Sequence, residues 1–144
     1  MKHIYINDIG KIENGWYVWN QHKDVLTDKN NKEHNRNILY YSNEKRTSYV
    51  KHYKGKTINK DVIVFYRGNG NNSFKWLPRI IKYNGSGIII ENHLLYLVPN
   101  DGVNINDVFK YINNINTKKY AEKYITSGGL STKVLENEIP LFIA

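Results

Sequence analysis

The sequence has no cysteine, three prolines, one methionine and no long apolar run. The absence of cysteine excludes disulfides, thiolate metal sites and cysteine nucleophiles together. No stretch approaches the roughly 20 apolar residues that a membrane span needs. No signal-peptide pattern precedes the first expected strand, so the expectation is an intracellular chain with no membrane partner. The prolines, Pro78, Pro99 and Pro140, are isolated from one another. At 144 residues the chain is long enough for one domain, residues 1–144, with a single core.

Signatures of catalysis are also missing. His3, His22, His34, His52 and His93 show no metal-ligand spacing such as H-E-x-x-H. There is no Gly-Lys-Ser/Thr phosphate loop, and Gly68-Asn69-Gly70 lacks the third glycine and following helix of a dinucleotide fingerprint. No acid–acid–lysine pattern of the nuclease kind stands beside Asp61. The expectation is a chain that is not an enzyme by itself, with no catalytic residue, metal or cofactor of its own.

What the chain does have is positive charge, and it is concentrated. The formal net charge is +8. Between Lys45 and Lys82 stand ten basic side chains against the single acid Asp61, a net +9, so this middle third carries the whole excess. Tyr49, Tyr53, Tyr66, Phe74 and Trp76 are interleaved with those cations. A solvated lysine-rich surface would explain the charge alone. Charge mixed with aromatics fits contact with nucleic-acid phosphates better.

At the centre of this segment lies Asp61–Trp76. Val62-Ile63-Val64-Phe65-Tyr66 is β-branched or aromatic throughout and reads as a buried strand. Arg67-Gly68-Asn69-Gly70-Asn71-Asn72 then stops it, because Gly and Asn accept positive φ and favour turns. Ser73 to Trp76 reads as a returning strand, continued by Ile80-Ile81. The tip carries an arginine and amides and no acid, and so offers hydrogen bonds to a polyanion.

Elsewhere the pattern predicts a short strand and turn in His3–Ile12, a strand in Trp16–Trp19, a loop over Asp28–Asn37 and a strand at Ile38–Tyr41. A further short strand is expected around Tyr49–His52, and others at Ile88–Ile90 and Leu94–Val98. Turns are expected at Asn84–Gly87 and Pro99–Gly102. After Gly102 the period changes to that of helices. Val108, Phe109, Ile112 and Ile115 share one helical face, with Asn104 or Asn106 as N-cap. Thr117 caps a second helix with Tyr120, Ala121, Tyr124 and Ile125 on one side, stopped by Ser127-Gly128-Gly129. Ser131 or Thr132 caps a short third helix, and Ile139–Ile143 is an extended tail. The fold class is α+β: a twisted, mostly antiparallel sheet or partial barrel in the N-terminal two thirds, covered by two or three C-terminal helices.

Several of these stretches together resemble the C-terminal target-recognition domain of TaqI-like adenine-N6 DNA methyltransferases of restriction–modification systems. The residues are Val18-Trp19-Asn20-Gln21-His22-Lys23 with Leu26-Thr27, Leu39-Tyr40-Tyr41-Ser42, Arg67-Gly68-Asn69-Gly70-Asn71 and Glu91-Asn92-His93. The ending Ser127-Gly128-Gly129-Leu130-Ser131, with Leu135 and Ile139-Pro140-Leu141, is similar as well, also to type I restriction specificity subunits. The likeness covers the chain from about Gly10 onward. It implies a specificity module for double-stranded DNA whose partner, in cis or in trans, is a methyltransferase domain holding S-adenosylmethionine. The Asn/Asp-Pro-Pro-Tyr/Phe motif and glycine-rich cofactor segment of that catalytic half are missing here. The chain is therefore expected to be an excised domain, a separate specificity subunit or a stand-alone relative, and not to methylate DNA alone.

On this reading Asn20, Gln21, Lys23, Arg67, Asn69 and Asn71 are candidates for base contacts, because amides suit adenine and arginine suits guanine. Lys45, Arg46, Lys51, Lys54, Lys56, Lys75, Arg79 and Lys82 are candidates for phosphate contacts. Trp19 and Trp76 read as core residues in preference to stacking surfaces. Two rivals use other residues. A PUA-like reader of RNA or modified bases would line an aromatic pocket with Trp16, Trp19 and Trp76, and a small metal-dependent nuclease would use His52 or His93 with Asp61.

Overall fold

The computed structural model describes residues 2–18, 25–27, 37–40, 47–50, 53–66, 76–83, 85–125 and 131–143. Its strands are β1 (His3–Ile4), β2 (Gly10–Asn14), β3 (Val25–Thr27), β4 (Asn37–Tyr40), β5 (Thr47–Val50), β6 (Val62–Tyr66), β7 (Arg79–Ile81), β8 (Ile88–Ile90), β9 (Leu94–Pro99) and β10 (Leu141–Phe142). Its helices are α1 (Ile105–Ile112), α2 (Ile115–Ile125) and α3 (Thr132–Asn137). The architecture is α+β, and no closed barrel forms among the described residues.

A central antiparallel sheet in the order β2-β9-β6-β7 organises the rest. Its register sets Ile63 opposite Leu97 and Ile80, Phe65 opposite Leu95, and Ile12 opposite Leu97. Because strand side chains alternate, these residues share one face. There they meet Val108, Ile112, Ala121 and Leu135 of the helices, together with Trp76, Ile139 and Leu141. The opposite face, with Val62, Val64, Ile81, Leu94 and Tyr96, packs against Ile58, Ile88 and Ile90. β6 is thus buried on both sides, which is why Val62–Tyr66 is apolar without alternation. Each fully buried Val, Ile, Leu or Phe here contributes about 1.5–3 kcal/mol of transfer free energy.

A second sheet, β3-β5-β4-β8, lies on the side away from the helices. Its β4–β8 pair is parallel and its other pairs antiparallel, so the sheets are mostly antiparallel as expected. β8 alternates between cores: Ile88 and Ile90 face the central sheet, while Ile89 joins Tyr17 and Val50 on the far side. β1 and β10 form a two-stranded ribbon beside α1 and α2.

The differences from expectation have local causes. Trp16–Tyr17 makes no ladder: both backbone N–H groups donate to the same Ile90 carbonyl, at 3.0 and 3.1 Å, and only Tyr17 forms a bridge, to Glu91. The returning strand pairs from Arg79, not from Trp76, and residues 67–75 lie outside the described residues. Ile115 does not share a face with Val108, because α1 ends at Ile112 and Ile115 opens α2, 65% exposed. Thr117 does not cap α2. Asn114 does, its Oδ1 accepting from Asn116 N at 2.9 Å, while buried Thr117 accepts from Phe142 N at 3.0 Å and ties the tail down. The Asn104 and Ser131 caps form as expected. So does the turn at Gly102, whose φ of +83° is one that glycine takes without strain.

Candidate nucleic-acid interface

All six candidate base contacts, Asn20, Gln21, Lys23, Arg67, Asn69 and Asn71, lie outside the described residues, as do Lys45, Arg46, Lys51 and Lys75. The described cations of the basic segment are Lys54, Lys56, Lys60, Arg79 and Lys82. Several of their neighbours fix their side of the molecule. Ile58, in the middle of the lysine run, pairs with Ile88 and packs with Ile81 on the helix-free face of the central sheet. Arg79, two residues before Ile81 on β7, sets its guanidinium 5.8 Å from the ring centroid of Tyr40, on β4 of the second sheet. Ile58 and the Arg79 side chain therefore lie on the side opposite the helices.

The cations are not equivalent. Lys54 is exposed, in no ion pair among the described residues. Lys82 Nζ stands 3.7 Å from Asp61, whose other oxygen accepts from Tyr83 N at 2.7 Å. Lys56 is engaged most. Its Nζ donates to Tyr96 Oη at 2.9 Å and to Glu13 Oε2 at 3.4 Å, and lies 4.9 Å from the Trp16 ring centroid. Tyr96 Oη in turn donates to Glu13 Oε2 at 2.7 Å. Trp16 Nε1 donates to Tyr53 Oη at 2.9 Å, and Tyr53 Oη donates to the Lys56 carbonyl at 2.7 Å. Five residues from three stretches of chain thus lock the lysine segment to the sheet.

The electrostatics of this lock favour its charged forms. The Tyr96 hydroxyl, then Lys56, hold the Glu13 carboxyl below the ordinary carboxylate range despite some burial. Hydrogen bonding to Tyr96, against a desolvation cost, and the nearby Glu13 raise the Lys56 ammonium. Burial, chiefly, raises the Tyr96 phenol. Groups pushed further into their resting charge states are poor acid–base catalysts near neutral pH. The arrangement positions a chain segment. Beside it, two shallow hollows of about 390 and 330 Å³ share Glu13, Lys60 and Val98, with Lys11 and Lys56 at their rims.

Among the described residues, those of the rivals are not brought together. Trp76 is buried on the helical face, its ring 5.3 Å from Phe65 and its Nε1 donating to the Ile112 carbonyl at 3.1 Å. Trp16 lies on the other face against Tyr96, so these two do not share a pocket. Asp61 precedes β6 and His93 precedes β9, and Tyr66 stands opposite Leu94. At about 3.3 Å per residue, Asp61 and His93 are at opposite ends of the pair, roughly 20 Å apart. His52 and Trp19 fall outside the described residues.

Sequence reasoning missed a second polar pair. His93 Nδ1 lies 3.1 Å from Oε1 of Glu91, a carboxylate 2% exposed. Glu91-Asn92-His93 is singled out in the sequence as a stretch, but spacing alone gives the two side chains no role towards each other. Gly15 packs so tightly on this turn that a Cβ there would stand 1.9 Å from the Glu91 carbonyl oxygen.

Among the described residues no group of three or more His, Asp or Glu could hold a metal ion, and no helix is long and apolar enough to cross a membrane. Compared with protein-family models and with curated proteins, the chain matches none.

Proposed function

We propose that this chain is a recognition module for double-stranded DNA, the specificity part of an adenine-N6 methyltransferase or restriction–modification system. Catalysis and S-adenosylmethionine would reside in a separate domain or partner chain. The observation that carries the reading is where the described cations lie. The segment 45–82 has net +9 in the sequence, and its Lys56 and Arg79 side chains lie with Ile58 on the helix-free face. The helical portion, residues 104–143, has five lysines against four acids. A duplex presents a dense line of phosphates, and a protein that neutralises them on one surface needs such an asymmetry. β6 ends at Tyr66, immediately before Arg67 in the chain, at one end of the central sheet. Arg67, Asn69 and Asn71 supply base-edge contacts on this reading, and Lys54 and its neighbours hold the backbone.

The test is duplex binding followed by fluorescence anisotropy across a salt series. Affinity for DNA should fall steeply with salt, with a logarithmic slope that counts the phosphates neutralised. A flat salt response, or tighter binding to single-stranded RNA than to duplex DNA, overturns the reading.

A further inference from the structure

The turn Glu91–His93 joins β8 to β9 and is held from several directions. Glu91 N donates to the Tyr40 carbonyl, Asn92 N to the Tyr17 carbonyl and Leu94 N to the Glu91 carbonyl, at 2.9–3.1 Å. Gly15 N donates to the Leu94 carbonyl at 2.8 Å, and the Gly15 backbone lies directly against the Glu91 peptide. Into this turn the fold puts two buried polar groups. One is the Glu91 carboxylate, almost wholly removed from water. The other is Asn92 Oδ1, buried with no hydrogen-bond partner. Beside them the His93 side chain is 66% exposed while its Nδ1 lies against Glu91. With the Glu91 oxygen as the acceptor of that contact, the proton is on Nδ1. In the neutral ring that leaves the lone pair on Nε2 of an exposed side chain, with the Glu91 contact orienting the ring.

The place of the turn matters as well. Tyr66 stands opposite Leu94, so His93 lies at the end of the central sheet where the chain leaves β6 towards Arg67. We infer that His93 is a base-reading residue: its Nε2 accepts a hydrogen bond from the exocyclic amino group of adenine or cytosine, with Glu91 as the positioning residue that holds the accepting tautomer. In the major groove only those two bases offer such a donor, whereas guanine and thymine present oxygen acceptors there. This rests on the reading of the chain as a DNA recognition module and adds to it the class of base that one contact selects.

Two measurements test it on the full chain. Long-range proton–nitrogen NMR on the free protein should show the His93 proton on Nδ1; an Nε2-protonated neutral ring overturns the inference. The preference profile is then determined with a duplex library randomised at its centre. His93→Ala, a change at an exposed side chain, should flatten an adenine or cytosine preference at one position by about tenfold and leave the other positions as they were. Glu91→Gln, which can donate as well as accept, should relax the same position; His93→Ala stands as the test if Glu91→Gln does not fold. An unchanged profile in His93→Ala overturns the inference, and so does an equal loss at every position, which marks a phosphate contact. Wild-type protein that binds no duplex, or all duplexes alike, overturns the recognition reading itself and the inference with it.

Discussion

At the scale of single residues, the lock around Lys56 shows how a surface lysine becomes a structural one. Its ammonium lies between a carboxylate, a phenol and an indole, and its own carbonyl is held by Tyr53. Tyr96 is the hub: the residue is buried, and its hydroxyl both accepts from Lys56 and donates to Glu13. Hydrogen bonds to charged groups contribute about 1.5–3 kcal/mol each, so Tyr96→Phe should lower unfolding free energy by about 2 kcal/mol in urea melts. An unchanged midpoint would mean that water replaces the hydroxyl at no cost. The pH dependence follows from the same contacts. Glu13 is more acidic folded than unfolded, so its contribution is present above the unfolded value, about 4.3, and is lost as pH falls through the folded one. Lys56 and Tyr96 hold their protons more tightly when folded. Their contribution is present below about pH 10 and is lost as pH rises through their folded values. Glu13→Gln should therefore flatten the acid limb of a stability–pH curve and leave the neutral plateau lower.

At the scale of elements, side-chain groups tie the ends of the helices into the fold. Asn104 caps α1 by accepting from Asn106 N and Asp107 N, at 2.8 and 3.3 Å. Asn104→Ala should cost about 1 kcal/mol, the usual value of an N-cap. Thr117 does something different, since its buried hydroxyl accepts the backbone N–H of Phe142 in β10. Thr117→Val keeps the shape but leaves that N–H without its acceptor. A loss of about 1–3 kcal/mol is expected, with faster hydrogen exchange at Phe142 as its signature. If Thr117→Val and Asn104→Ala prove equal in stability and exchange, the tail is not anchored there. The caps at Asn104 and Ser131 were legible in the sequence because capping is a matter of three neighbouring residues. Thr117 was misread because its partner lies 25 positions away. Likewise the strand pattern in Trp16–Trp19 is real, but two successive amides bonded to one Ile90 carbonyl leave no ladder to build.

At the scale of the whole molecule, the central sheet separates the helical part, whose residues 104–143 carry five lysines against four acids, from the face where the described cations Lys56 and Arg79 lie. Reversing charge on each side in turn measures whether that asymmetry has a function. Lys118→Glu with Lys119→Glu on α2 should leave duplex affinity within about twofold, whereas Lys54→Glu with Lys60→Glu should weaken it for all sequences alike and flatten the salt slope by about two phosphates. Arg67→Ala should instead blunt sequence preference. Equal effects from the two lysine pairs would remove the asymmetry as an argument for DNA.

The sequence by itself determined the apolar strands, the glycine and asparagine turns, the helical C-terminal part and the crowding of cations between Lys45 and Lys82. These are properties of neighbouring residues, and chain stiffness, hydropathy and turn preference act over a few positions. Only the tertiary structure decided which cations are engaged and which acids face them. Glu13 meets Tyr96 from 83 positions away and Lys56 from 43. It also set Asp61 and His93 at opposite ends of the sheet and gave His93 its buried partner Glu91. The physical reason is that strand register and face, set by the burial of a whole sheet between two layers, bring distant side chains together or keep them apart.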